Sequence, residues 1–376
     1  MSTDKKRIPL GIIITVISLA LIIATIIICV HIRQEGKEKM QVATTTPPAA
    51  TEAPTATPIP TPTIDPHLND VKSSITGEWV SKKTEKKRPY AVMINNIEYA
   101  FQHQKGTSKA DIIYEALAEG GITRMLAIYQ DPSKVKVIGS VRSARHYYVQ
   151  FANEWNAIYC HFGHTKYATA KIEELGINNL SGLSGIGSAV YERDYSVSAP
   201  HNVYTSGKKL QKGAKILKYK QKQDKDKVAK HFKFYEEDTE LYSKKEAKKI
   251  TLPFSNYSTC ILKYNKKKMT YQKFEYNQKH MDTHYKKQLA FKNVIVQLVS
   301  ESNIDHNGYQ TMDLSNSSGE GYYITNGKRI KIKWERNEAE NKMVYKDKDG
   351  DILRMNPGKT YIAVYPTSRQ QFISIK

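Results

Sequence analysis

"SKADIIYEALAEGG", residues 108–121, decides how the first half of the chain folds. Ser108 is an N-cap type of residue, Asp111 stands three positions on, and the run stops at Gly120 and Gly121. That punctuation predicts a helix over 108–121. One face would hold Ile112, Ile113, Ala116 and Leu117, and the other an acidic stripe of Asp111, Glu115 and Glu119 at i, i+4 and i+8. Around it lie the β-type runs "YAVMIN" (90–95), "RMLAIY" (124–129), "KVIGSVR" (136–142) and "AIYCHFG" (157–163). Helical patterns follow at "HYYVQFANEW" (146–155) and "TKYATAKIEELGI" (165–177). Strands alternating with helices predict an α/β domain over 68–225, whose ligands should gather at the carboxyl ends of strands.

Two charge placements in this domain run against local physics. Like charges at i, i+4 each cost a few tenths of a kcal/mol on a helix, and Glu119 would sit at the end that disfavours carboxylates. The stretch "KVIGSVRSARHYYVQF" (136–151) then sets Arg142 and Arg145 where the next helix begins, although a helix N-terminus attracts anions rather than cations. The simplest cure is that acids and arginines meet. Glu119, Arg124, Arg142 and Arg145 either pair to hold the fold, or line a cleft in which arginine forks bind phosphate or carboxylate. In the second case a carboxylate remains for proton transfer.

Other candidates stand at strand ends and in one polar loop. Asn95 and Asn96 follow the first strand, Arg142 and Ser143 follow "KVIGS", and His161 follows "AIYC". The loop "YERDYSVSAPHNVYTS" (191–206) holds Arg193, Asp194, His201 and Asn202. The candidate ligand-binding set is therefore Asn95, Arg142, Ser143, Arg145, His161, Arg193 and Asn202. Glu119 or Glu115 would act as acid/base with His201 assisting. His161 and His164 in "HFGHT", even with His201, are too little for a zinc site. No metal and no cofactor is expected: there is no CxxC pair, no GxSxG and no glycine-rich phosphate loop.

Lys and Arg number 58 against 37 Asp and Glu, a formal charge of +21. In a cytoplasmic protein that excess would suggest nucleic acid, but the N-terminus argues for an external one. Residues 8–30, "IPLGIIITVISLALIIATIIICV", form an uncharged apolar run long enough to cross a hydrocarbon core of about 30 Å. They predict a single-pass membrane anchor behind a cytoplasmic tail of residues 1–7. Residues 31–67 form a linker built around "ATTTPPAATEAPTATPIPTPTIDP" (43–66), a composition that stays extended and holds a folded part away from a membrane.

The remainder, 226–376, reads as a lysine-rich connector and a β-rich C-terminal domain. Residues 208–292 hold 24 Lys against nine acids, either a solvated surface or an attraction to wall polyanions or anionic lipid. From "STCILKYNKKKMTYQKFEY" (258–276) to "YIAVYP" (361–366), Tyr, Ile and Val alternate with turn signals at "SSGEG", "TNGKR", "DKDGD" and "NPGKT". The three cysteines, Cys29, Cys160 and Cys260, allow at most one bridge between the latter two.

"PYAVMINN", "GTSKADIIYEALAEGGITRMLAIYQ", "IGSVRSAR", "HFGHT" and "SAPHNVYTS", with "GEGYYITNGKRIKIKW" and "DGDILRMNPGKTYI" after them, resemble the YerB-like family of bacterial envelope proteins, a family of unknown function. The resemblance covers nearly everything from residue 89 to 366. It implies an external, membrane-attached protein with an α/β domain and a β-rich C-terminal domain, and no established reaction. Members are commonly lipoproteins, so the apolar anchor would be a different attachment. A looser likeness, in overall plan, is to the LytR-CpsA-Psr wall transferases. The expected function is recognition of an anionic cell-wall polymer or lipid-linked sugar outside the cell membrane. The alternative is a wall glycan hydrolase or glycan/phosphoryl transferase using the Glu/Arg/His cleft.

Overall fold

The computed structural model describes residues 66–376 apart from Asp313. The expected tail, anchor and nearly all of the linker lie outside the described residues. Among the described residues no helix is long and apolar enough to cross a membrane. Residues 64–376 form one compact unit.

The decisive stretch is a strand. Ile112–Leu117 is extended, with a one-turn 3-10 helix at Thr107–Lys109 before it and another at Glu119–Gly121 after it. The helix expected over 108–121 is thereby corrected, and the reason is burial on both sides. Ile112, Tyr114 and Ala116 enter one core, while Ile113 and Leu117 enter the other. A strand covered on both faces loses its polar alternation and reads as a continuous apolar run, which periodicity alone does not separate from a helix. Gly120 and Gly121 take positive φ (69° and 74°) in the turn to the next strand rather than capping a helix.

Among the described residues, twelve strands of four residues or more, the three-residue edge strand of the large sheet and three helices of nine or ten residues are the main elements of the unit. The strands are β1 Tyr90–Asn95, β2 Ile112–Leu117, β3 Thr123–Tyr129, β4 Ile158–His161, β5 Asn179–Ser181, β6 Lys249–Pro253 and β7 Thr259–Asn265. β8 Thr270–Glu275, β9 Asn293–Val299, β10 Ser318–Thr325, β11 Lys328–Asn337, β12 Lys342–Lys346 and β13 Thr360–Pro366 follow. The helices are α1 His146–Glu154, α2 Lys166–Leu175 and α3 Gly207–Ile216.

Ten strands make a single mixed sheet in the order β12-β11-β10-β9-β13-β2-β3-β1-β4-β5. β13 lies parallel to both β9 and β2, with Thr360 opposite Ile112, so the β-rich half and the α/β half share one sheet. The boundary expected near residue 225 therefore does not separate two sheets.

One face of this sheet is covered by α1 and α2, and the other by α3 and by a smaller sheet built on β6, β7 and β8. Ile250, Leu252, Cys260, Leu262 and Tyr271 from that smaller sheet pack against Val294, Val296, Tyr361 and Ala363. Residues 64–376 thus carry their own hydrophobic core on both sides of the sheet.

Local sequence explains most of the joints. Thr165 Oγ1 accepts the Ala168 N–H to start α2, and Gly176 (φ 58°) ends it in the left-handed region. Asn326 and Gly327 (φ 48° and 77°) turn β10 into β11, the positive-φ pair a tight hairpin requires. The expected turn at "SSGEG" is instead mostly strand, the start of β10. In "KVIGSVR" only Ile138–Gly139 pairs as strand, against Tyr204 and Thr205. Cys160 and Cys260 are both buried free thiols, so the bridge considered between them is absent.

Candidate arginine site at the start of α1

The segment after Gly139 runs irregularly across the end of β1: the Arg142 N–H donates to Met93 O and the Asn95 N–H to Ser140 O. Arg145 then becomes the residue before α1, in an extended conformation and with no side-chain cap. Its fork closes on Glu119, Nε to Oε1 at 2.5 Å and Nη2 to Oε2 at 2.7 Å, while Nη1 donates to Ala144 O at 2.8 Å. Arg124, buried on β3, puts Nη2 3.8 Å from Glu119 Oε2 and donates through Nη1 to Ser143 O at 2.6 Å.

Arg142 completes the group. Among the described residues its side chain makes one hydrogen bond, from Nη1 to Pro200 O at 3.1 Å, and its buried Nε has no partner. Nε of Arg124 and Oγ of Ser140, on either side of the same segment, are buried without partners as well. Two guanidinium groups thus share one carboxylate, and the third, that of Arg142, has none within reach among the described residues.

Electrostatics sharpens the imbalance. Burial would raise the Glu119 carboxyl, but the hydrogen bonds and charge of Arg145, with Arg124 behind, hold it below its ordinary value. Burial and the Arg145 charge lower Arg124 to about 10 and lower Arg142 as well. All three arginines remain charged at neutral pH, and excess positive charge is packed where water is scarce. An anion is the group such a place stabilises.

His201 borders the cluster. Asn95 Nδ2 donates to its Nδ1 at 2.7 Å, and burial, with the Arg142 and His103 charges, lowers its pKa. Arg193 lies one step away: Nη1 donates to Asn202 Oδ1 at 2.7 Å and the guanidinium covers the Phe162 ring at 4.8 Å. The Phe162 N–H donates to Arg142 O. Ser143 contributes its carbonyl rather than its hydroxyl.

Three expected members do not join. His161 is buried with both ring nitrogens engaged, Nδ1 on Gly163 O at 2.8 Å and Nε2 on Asn179 Oδ1 at 3.2 Å, so it holds a loop in place. Asp111 sits at the far end of β2 and accepts the Gln130 N–H at 2.7 Å. Glu115 lies between them on β2, whose extended backbone separates it from both neighbours. The extended chain spreads the three acids apart instead of stacking them in one stripe, and only Glu119 reaches the arginines.

Glu115 belongs to a second constellation, between the large and the small sheet. Lys273 Nζ stands 3.0 Å from Glu115 Oε2 and 2.5 Å from Glu275 Oε2, all three side chains at 0% exposure. Tyr361, Thr123 and Asn96 donate to Glu115. His280 links Lys273 to Gln104. Burial and the Glu275 charge push Glu115 up to about 7 despite Lys273.

Sequence reading missed this network, although a signal existed. In "TYQKFE" the alternation of β8 puts Tyr271, Lys273 and Glu275 on one face, the buried one.

A cavity of about 780 Å³ lies elsewhere, among the end of α1, residues 226–231 and the turn between β11 and β12, with none of the expected site residues in its lining. Among the described residues no three His, Cys, Asp or Glu side chains gather as a metal set.

Comparison with known proteins places these features in a family. Residues 75–220 match the family described as "Protein of unknown function (DUF3048) N-terminal domain", and 250–362 match its C-terminal domain. A Bacillus subtilis (strain 168) protein named "Putative lipoprotein YerB" is 33% identical over 297 residues, 79% of this chain and 86% of that protein. The crystal structure of YerB from Bacillus subtilis superposes with a TM-score of 0.70 at 30% identity, covering 81% of this chain and 99% of that one.

Proposed function

We propose, for a chain that belongs to the DUF3048, YerB-like family, that it is a membrane-tethered envelope protein which binds an anionic group of a cell-wall polymer or lipid-linked sugar at the arginine cluster. Residues 8–30 would be the tether and residues 31–67 the stalk, with the folded unit outside the membrane. The observation that supports the binding is Arg142, a guanidinium with a single hydrogen bond and an unpartnered buried Nε, next to two more arginines that share one carboxylate.

Lysines would add long-range attraction. Lys249 and Lys263, both exposed, stand opposite each other across β6 and β7, a pairing of like charges that is locally unfavourable. An external polyanion relieves it. A hydrolase or transferase reading loses its acid here, because Glu119 is clamped by Arg145 and held ionised, while Glu115 is sealed in the interior.

The test is co-sedimentation of residues 64–376 with purified wall sacculi across a salt series. Binding should fall steeply as ionic strength rises and drop at every salt with Arg142→Gln. Binding indifferent to salt and to Arg142, or release of new glycan products, would overturn the reading.

A further inference from the structure

The rim of the arginine cluster is aromatic. Tyr99 is 46% exposed, its ring 5.1 Å from the His201 ring and 5.4 Å from the His103 ring. The ring does not swing freely, because its hydroxyl accepts the Ser198 N–H at 3.1 Å. His201 is fixed in turn by Asn95, and the residue before it, Pro200, holds Arg142 through its carbonyl. One loop, 198–201, therefore touches the under-partnered guanidinium on one side and an exposed, oriented ring on the other.

Tyr99 has no share in either hydrophobic core, so packing does not account for an ordered aromatic ring at this place. A bare phosphate would use the guanidinium and ignore the ring. A sugar offers what both can use. One face of a pyranose is a sheet of C–H groups that packs against the negative face of an aromatic ring, while an acidic substituent reaches an arginine fork.

We propose that the ligand of this site is a sugar bearing an anionic substituent, phosphate or carboxylate, with its charge on Arg142 and its ring lying against Tyr99. The inference rests on the anion-binding reading above and adds the sugar to it. Asn95 acts as a positioning residue, since it holds the His201 ring between the two contacts.

The experiment is calorimetric titration of residues 64–376 with N-acetylglucosamine 1-phosphate, N-acetylmuramic acid, inorganic phosphate and N-acetylglucosamine. At least one of the charged sugars should bind about tenfold tighter than inorganic phosphate, the gain expected of one aromatic contact, and the tighter of the two tells phosphate from carboxylate as the source. Tyr99→Ala should erase that advantage and leave phosphate binding unchanged, and Tyr99→Phe should keep it. Arg142→Gln should weaken the charged sugars and phosphate together. Charged sugars that bind no tighter than phosphate would overturn the sugar contact while leaving the anion site standing. Absence of binding by every charged probe would overturn both. An advantage that survives Tyr99→Ala would place the sugar elsewhere.

Discussion

Arg145 meets Glu119 fork to fork, at 2.5 Å and 2.7 Å, from the residue that opens α1 to the turn that closes β2. The pair explains why a cation stands at a helix start that ought to attract an anion: the anion is supplied from the neighbouring strand. It also explains why Arg142 is different. Glu119 has two oxygens, both facing Arg145, and its second neighbour is Arg124. No carboxylate is left for the third guanidinium.

Glu119→Gln should therefore lower stability by about 1–3 kcal/mol in chemical denaturation, less than the loss of a fully buried pair because Glu119 is partly exposed. Inorganic phosphate should restore part of that loss in the variant and less in wild type, since an anion can then occupy the vacated fork. A variant as stable as wild type, with no response to phosphate, would remove the pair from the account.

Lys273→Met should be the more damaging change. It leaves Glu115 and Glu275 facing each other in a dry interior, at a cost of about 3–5 kcal/mol in the same assay. The network joins the two sheets, so loss should show as a lower midpoint for the whole unit rather than as a separate early transition.

Buried carboxyls and buried histidines pull the pH dependence in opposite senses. Glu115 and Glu154 are pushed up to about 7 and Asp111 to about 6, in each case first by burial. A raised carboxyl binds its proton more tightly when folded, so its stabilisation is complete below the unfolded value, near 4, and is lost as pH rises through the folded value. Buried His146, His231 and His280 are pulled down and act in the opposite sense, so the sign shows in a difference: the melting temperature of wild type relative to Glu115→Gln should fall from pH 5 to pH 8. Glu119, held low, works in the opposite sense and only in acid, where stability is lost as pH drops through its folded value. A wild-type advantage over Glu115→Gln that grows from pH 5 to pH 8 would reverse the sign argued for Glu115.

Cys160 and Cys260 are buried free thiols, and burial raises both above the ordinary thiol value. In residues 64–376 both should resist a thiol reagent until denaturant is added, then react together. Rapid labelling of either in the native protein would contradict the packing of β4 against α3 or of β7 against β13.

Much of this was legible in the residues, and the failures have physical causes. α2 was readable because its polar face, its Thr165 cap and its Gly176 stop are intact, and the hairpin at Asn326–Gly327 because positive φ has few residue choices. Ile112–Leu117 misled because a strand buried on both faces has no alternation to show, and its flanking glycines suit a turn as well as a helix end. The meeting of Glu119 with Arg145 was one of two alternatives, and the misplaced Arg145 alone carried it, since the helix end assigned to Glu119 does not exist. The Lys273 network did not follow, since its members come from strands more than 150 residues apart and only their inward register unites them. His161 looked like a strand-end ligand and is a loop tie, a difference decided by Gly163 and Asn179 alone.

The most direct test of the central claim watches the arginines themselves. In a nitrogen-15 labelled sample of residues 64–376, the side-chain Nε–H signals of Arg142 and Arg124, both buried and unpartnered in the free protein, can be followed during titration with inorganic phosphate and then with solubilised wall polymer. The account predicts saturable shifts of both signals, absent in Arg142→Gln. Signals that stay unmoved while the polymer binds would contradict it, and would assign binding to the lysine-rich surface instead.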